Sequence, residues 1–206
     1  VLATAGCLIL WIGWVGFNGG STTAGTPAFA HIISNTVVAG AIGGLTAMIL
    51  GRYREGLYRP ERSINGVLAG LVAITAGCDV FSTWETLLVA SGGAVIAYFS
   101  ESIILHKFKL DDVIEAVSVH GVAGAWGTIA IGLLADSDSL LAGSRFAQIG
   151  VQTLGVVVCF AWAFGLTYAF LKFINRFKLG DDYPGIRISP EDEKIGLNVA
   201  EHGATL

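Results

Sequence analysis

His120 is the first residue whose chemistry stands out. It lies in the run DDVIEAVSVHGVAGAWGTIAIGLLA, which is long and apolar enough to cross a bilayer. An ionisable side chain inside such a run is costly, and it usually faces a bundle interior or a water-filled path. A neutral imidazole donates at one ring nitrogen and accepts at the other, which suits a small polar solute or a proton. The alternative is a buried histidine bonded to a neighbouring carbonyl. Three carboxylates precede it: Asp111, Asp112 and Glu115. At a helix N-terminus Asp111 and Asp112 can cap the helix and complement its dipole. Glu115 sits one turn deeper and needs a partner. It either shapes the cytoplasmic mouth electrostatically or fixes a neighbouring helix. A second group is the stretch WIGWVGFNGGST. Trp11 and Trp14 read as interfacial belt residues. Phe17 and Ser21 flank a glycine-rich exit, where an aromatic face attracts a cation by ~0.5–2 kcal/mol and a hydroxyl can accept from an ammonium-like donor.

The elements that must carry these residues follow from composition. Of 206 residues, 53% are hydrophobic and only 14% charged, against about 25% charged in soluble domains. Residues 1–51 contain no Asp, Glu, Lys or Arg, so those segments have no charged outer face for water. The expected fold is an all-α membrane protein, a polytopic helix bundle. Six spans are read: about 2–18, 28–50, 64–80, 86–105, 113–135 and 146–175. Stretches such as LTAMIL do not alternate apolar and polar residues, as barrel strands do. The transmembrane bundle covers 1–178, and a polar tail with Pro184 and Pro190 covers 179–206.

Orientation follows from the basic residues. Arg52, Arg54, Arg59 and Arg62 fill the second loop, and Lys107 and Lys109 the fourth. Lys172, Arg176, Lys178, Arg187 and Lys194 end the last span and the tail. The opposite loops hold Asp79, Glu85, Asp136 and Asp138, with Arg145 the lone cation. The chain is therefore expected in a cell membrane, with the tail cytoplasmic. It opens directly on a hydrophobic segment with no initiator Met, and reads as a fragment whose first part is missing.

Glycines recur at helical spacing, as in Gly121, Gly124 and Gly127, and let membrane helices approach closely. That series follows no strand, which argues against a phosphate-binding loop. Cys7, Cys78 and Cys159 share no metal-like spacing and read as small buried hydrophobes. No nucleophile–base pair or metal cluster stands out, so neither an enzyme nor a cofactor is expected.

At these motifs the sequence resembles the ammonium transporter family (Amt/Mep/Rh), specifically its second half. WIGWVGFNGGS resembles the family's sixth transmembrane helix, NGVLAGLVAITAGC the eighth, and LDDVIEAVSVHGVAGAWG the tenth. GIRISPEDEKIGLNVAEHGA resembles its cytoplasmic tail signature. The resemblance implies half of an inverted-repeat, eleven-helix fold. It implies ammonium or ammonia transport, with ammonium deprotonated at a hydrophobic pore lined by twin histidines. In that scheme His120 is the second pore histidine and Phe17 a gate phenylalanine. Ser21 belongs to the external recruitment site, Leu68 is a pore-lining aliphatic residue, and Trp14 packs beside the pore. The family position of Glu115 is usually Asp, and Gly19-Gly20 stands where Ala-Gly is common. A homotrimer is implied, with ammonium and the bilayer as partners, a PII-type regulatory protein or a signalling domain at the tail, and no nucleic acid. The alternative function is an ammonium sensor that binds the ion and signals through the tail. The first pore histidine belongs to the family's first half, which this chain does not contain.

Overall fold

A computed structural model describes residues 2–177, 186 and 188–203. The expected basic residues Lys178 and Arg187, and Pro184, lie outside the described residues, as does part of the 179–206 tail. Among the described residues every regular element is helical. The chain divides into two compact units, Val1–Val156 and Val157–Leu206.

The first unit contains α1 (Leu2–Gly20), α2 (Ala28–Glu55), α3 (Pro60–Thr75), α4 (Thr83–His106), α5 (Ala123–Leu134) and the start of α6 (Arg145–Ile174). A π-helical segment, Val117–Val122, leads directly into α5. Five segments are long and apolar enough to cross a membrane: α1, α2, α4, the joined Val117–Leu134 and α6. The expected third span, 64–80, is instead the 16-residue α3, which ends at Thr75 and continues as turns through Gly77 to Phe81. The reason is its position. α3 packs against α1, α2, α4 and α5, and Ala69, Leu71, Ala73 and Ile74 are fully buried. In the turns at its end Gly77, Cys78 and Phe81 are buried in protein, while Ala76 and Asp79 are exposed. The second loop is also shorter than expected. Arg52 and Arg54 belong to the last turn of α2, and Arg62 to α3, leaving Arg59 between the helices.

Local chemistry sets the ends. Gly56, at φ 74°, closes α2 with its N–H on the Arg52 carbonyl. Pro60 occupies the first turn of α3, where its missing N–H costs nothing. Ser82 and Glu85 form a capping box on α4: Ser82 Oγ accepts from the Glu85 N–H, and the Glu85 carboxylate accepts from the Ser82 N–H at 2.7 Å. Ser82→Ala is expected to cost about 1 kcal/mol, read as a lowered thermal midpoint in detergent beside an unchanged Ser91→Ala control. Arg145, the one cation among the acidic loops, donates to the carbonyls of Gly132, Leu133 and Ala135. It satisfies the C-terminus of α5, where a cation also complements the dipole.

The core of this unit is built on small residues. Gly43 of α2 faces Gly66 and Gly70 of α3 so closely that a Cβ on Gly43 would strike the Gly66 carbonyl oxygen. Ile32, Ala39, Ala73, Ile74, Phe81, Val89 and Ala130 fill the space around them. Trp11 and Trp14 are half-buried. Trp11 lies on Gly40 of α2, where the missing side chain leaves room for the indole.

The second unit holds the rest of α6, then α7 (Pro190–Ile195) and α8 (Leu197–Ala200). Phe160, Phe164 and Tyr168 stack along one side of α6 at 5.4 and 5.9 Å, and the Lys172 ammonium lies 5.5 Å from the Tyr168 ring. Ser189 caps α7 by accepting from the Asp192 N–H at 3.0 Å. Cys7 and Cys78 are buried as expected, whereas Cys159 is exposed on α6. An apolar helix face suited to lipid needs no protein cover for a thiol.

Candidate functional site

A groove of about 770 Å³ runs between α1, α3 and the His120 helix in the first unit. α1 contributes Ile9, Leu10, Gly13, Trp14 and Phe17; α3 contributes Val72, Thr75 and Ala76; the third wall is His120, Gly124 and Thr128. His120 is the single ionisable side chain in this lining. The walls are otherwise apolar except for two hydroxyls, and both are engaged. Thr75 donates to the Leu71 carbonyl at 2.7 Å, and Thr128 to the Gly124 carbonyl at 2.9 Å.

Trp14 organises the groove. Its indole N–H donates to Thr75 Oγ1 at 2.8 Å, tying α1 to α3. The ring stacks over the His120 imidazole, with centroids 6.5 Å apart and planes 18° apart. Phe17 meets Trp14 edge-on at 6.1 Å. The order Phe17, Trp14, His120 thus leads from the end of α1 to the imidazole.

His120 stands on the π-helical segment rather than on a regular α-helix. There the Ala123 N–H bonds to the Ser118 carbonyl, five residues back. Such single-turn departures are frequent at functional sites because they re-aim side chains. Asp112 holds the start of this segment. Its carboxylate accepts from the N–H groups of Val117 and Ser118, each at 3.1 Å, and from the Ser118 hydroxyl at 3.3 Å. Glu115 is 6% exposed and bonds Arg62 of α3 at 3.0 Å. That contact ties it to a neighbouring helix.

The structure brings His120, Phe17 and Trp14 to one groove but leaves two expected site residues elsewhere. Ser21 is exposed beyond the end of α1, and its hydroxyl donates to the Phe17 carbonyl at 2.7 Å. Leu68 packs with Val72 against Ala69, Ala97, Val119 and Ala123, one turn from the groove wall. Val72, Thr75, Gly124 and Thr128 are wall residues that the sequence reading passed over. Their signal was periodicity: Val72 and Thr75 lie four and seven residues from Leu68, and Gly124 and Thr128 lie four and eight from His120, each set on one helix face.

The profile of the Ammonium Transporter Family matches residues 1–206. A Synechocystis protein, sll0537, provisionally named an ammonium transporter, is 47% identical over 97% of the chain and 36% of its own length. The ammonium transporter Amt2 of Archaeoglobus fulgidus is 39% identical over 98% of the chain and 44% of its own length. A solved structure titled Sensor Amt Protein superposes with a TM-score of 0.87 at 38% identity, covering 96% of the chain and 48% of that protein. The chain thus spans less than half the length of each of these three. With its profile match, its apolar helices and its transporter-like superposition, the chain belongs to the ammonium transporter family.

Proposed function

We propose that this chain supplies one side of an ammonium-conducting pore, in a multi-pass protein of the cell membrane. The observation that carries the reading is the groove that gathers His120, the single ionisable side chain of its lining, with Trp14 and Phe17. An ammonium ion loses several kcal/mol or more of hydration on entering an apolar path unpaired. The aromatic faces of Phe17 and Trp14 offset part of that loss, and the Ser21 hydroxyl serves as an outer acceptor. Beyond Phe17 the path favours neutral ammonia, which has left its proton behind. His120 then supplies a hydrogen bond to the solute and a station for the proton. Potassium has no proton to shed, so the same path excludes it. We further propose a homotrimer and a cytoplasmic tail that engages a PII-type protein or a signalling domain.

The test is flux. Proteoliposomes holding the protein that carries this chain are expected to move ammonium down an inward gradient and to exclude potassium. Ammonium flux equal to that of empty liposomes would overturn the proposal. A second reading, an ammonium sensor, is favoured by the superposition on the structure titled Sensor Amt Protein. It predicts saturable ammonium binding without flux in the same preparation.

A further inference from the structure

We propose that Arg62 positions His120, acting through Glu115; this inference rests on the pore reading above. Arg62 joins carboxylates from three other parts of the fold. Its Nε donates to Glu55 at the end of α2 at 2.9 Å, and its Nη1 to Glu101 on α4 and to Glu115 at 3.0 Å. The guanidinium also lies 5.0 Å from the centre of the Tyr98 ring, and the Tyr98 hydroxyl donates to Glu55. The cation is therefore held from several directions, and a planar fork does this where a point charge does not.

The arm to Glu115 differs from the other two. Glu115 is the most buried of the three carboxylates. Its backbone stands at φ 54°, a left-handed conformation that non-glycine residues keep only where their surroundings enforce it. The Glu115 carbonyl accepts from the Val119 N–H at 2.7 Å. One residue thus receives the Arg62 bond on its side chain and anchors the turn beneath His120 on its backbone. That bond spans four residues, as in an α-helix, and fixes the entry to the π-helical segment Val117–Val122, whose wider turn competes with ordinary α-helical winding. Rewinding by one residue turns every side chain by about 100°, enough to take the imidazole off Trp14 and out of the groove. Holding Glu115 opposes that change. Arg62 thereby controls a residue 58 positions away in sequence (120 minus 62) that it does not touch.

The experiment is a double-mutant cycle in the reconstituted protein that carries this chain, with two readouts. One is ammonium flux. The other is the rate of His120 carbethoxylation, followed by mass spectrometry, which does not depend on transport. Arg62→Gln is expected to lower flux about tenfold or more, since ~1 Å of misplacement at a reacting group suffices for such losses, and to change the His120 rate severalfold. Glu115→Gln should do the same, and the double variant no more than either. Glu101→Gln leaves the Arg62–Glu115 bond in place and should keep both readouts near wild type. Arg62→Lys keeps the charge without the fork, should fold normally, and should still shift the His120 rate. The inference is overturned if Arg62→Gln and Arg62→Lys leave the His120 rate unchanged, if the two losses multiply, or if Glu101→Gln equals Glu115→Gln. Altered His120 rates in the Arg62 and Glu115 variants, beside a wild type without ammonium flux, would instead overturn the pore reading and keep the structural link.

Discussion

His120→Ala is expected to lower ammonium flux by about tenfold to a hundredfold, the range set by losing a hydrogen bond to a charged or strongly polar partner, about 1.5–3 kcal/mol. Within this chain's groove lining His120 is the single ionisable group. The Thr75 and Thr128 hydroxyl protons are already committed to backbone carbonyls. The substitution should also relax exclusion of potassium, because a solute would no longer need to leave a proton to pass. His120→Gln separates the two roles of the imidazole. An amide donates and accepts but does not carry a proton at neutral pH. Flux retained in His120→Gln and lost in His120→Ala assigns a hydrogen-bonding role alone; loss in both assigns proton handling as well. The measurement is paired ammonium and potassium flux in proteoliposomes at matched protein density. Unchanged flux together with unchanged potassium exclusion in His120→Ala would sink the pore assignment.

The second large effect is structural. Gly127→Ala is expected to destabilise the protein by about 1–3 kcal/mol, the usual cost of overpacking a fitted core. A Cβ built on Gly127 meets the backbone of Ala73, with the carbonyl carbon at 2.6 Å and Cα at 2.7 Å. Backbone has no rotamer to yield, so α5 must move off α3. That movement also pulls Gly124 and Thr128 away from the groove. The same series contains its own controls. A Cβ on Gly124 meets Val72 Cγ1 at 3.4 Å, and one on Gly121 meets Val117 Cγ1 at 3.8 Å, both ordinary contacts. Gly121→Ala and Gly124→Ala should therefore leave the thermal midpoint in detergent near wild type, while Gly127→Ala lowers it clearly. Equal midpoints for all three variants would show that the α3–α5 contact is looser than the structure draws it.

These glycines show how far a sequence reading carries. Gly121, Gly124 and Gly127 were visible as a close-packing series, because small residues at helical spacing have that meaning in a membrane. Which one touches a neighbour's backbone was not visible, because the answer depends on the rotation of α5 against α3. Glu115 is a parallel case. Its need for a partner was legible from an acid placed inside an apolar run. The partner, Arg62, had been assigned to a loop, and nothing local ties residues 53 positions apart (115 minus 62). The expected 64–80 span and the helix Pro60–Thr75 differ at their ends for a related reason. Hydropathy measures a segment's preference for an apolar surrounding and does not distinguish lipid from protein, so it continued past Thr75 into turns where Cys78 and Phe81 are buried in protein.

The sequence by itself determined the class of fold and the family, and it singled out His120, Phe17 and Trp14 as candidates. It did so because a bilayer satisfies no backbone polar groups, which leaves helices as the economical solution and makes an interior histidine conspicuous. The tertiary structure alone decided that Trp14 spans from Thr75 to the imidazole, that His120 rides on a π-helical segment, that Ser21 and Leu68 stand off the groove, and that Arg62 gathers three carboxylates. Each of these depends on the relative rotation and depth of packed helices. Those quantities come from many small contacts between distant residues, and no local spacing along the chain records them.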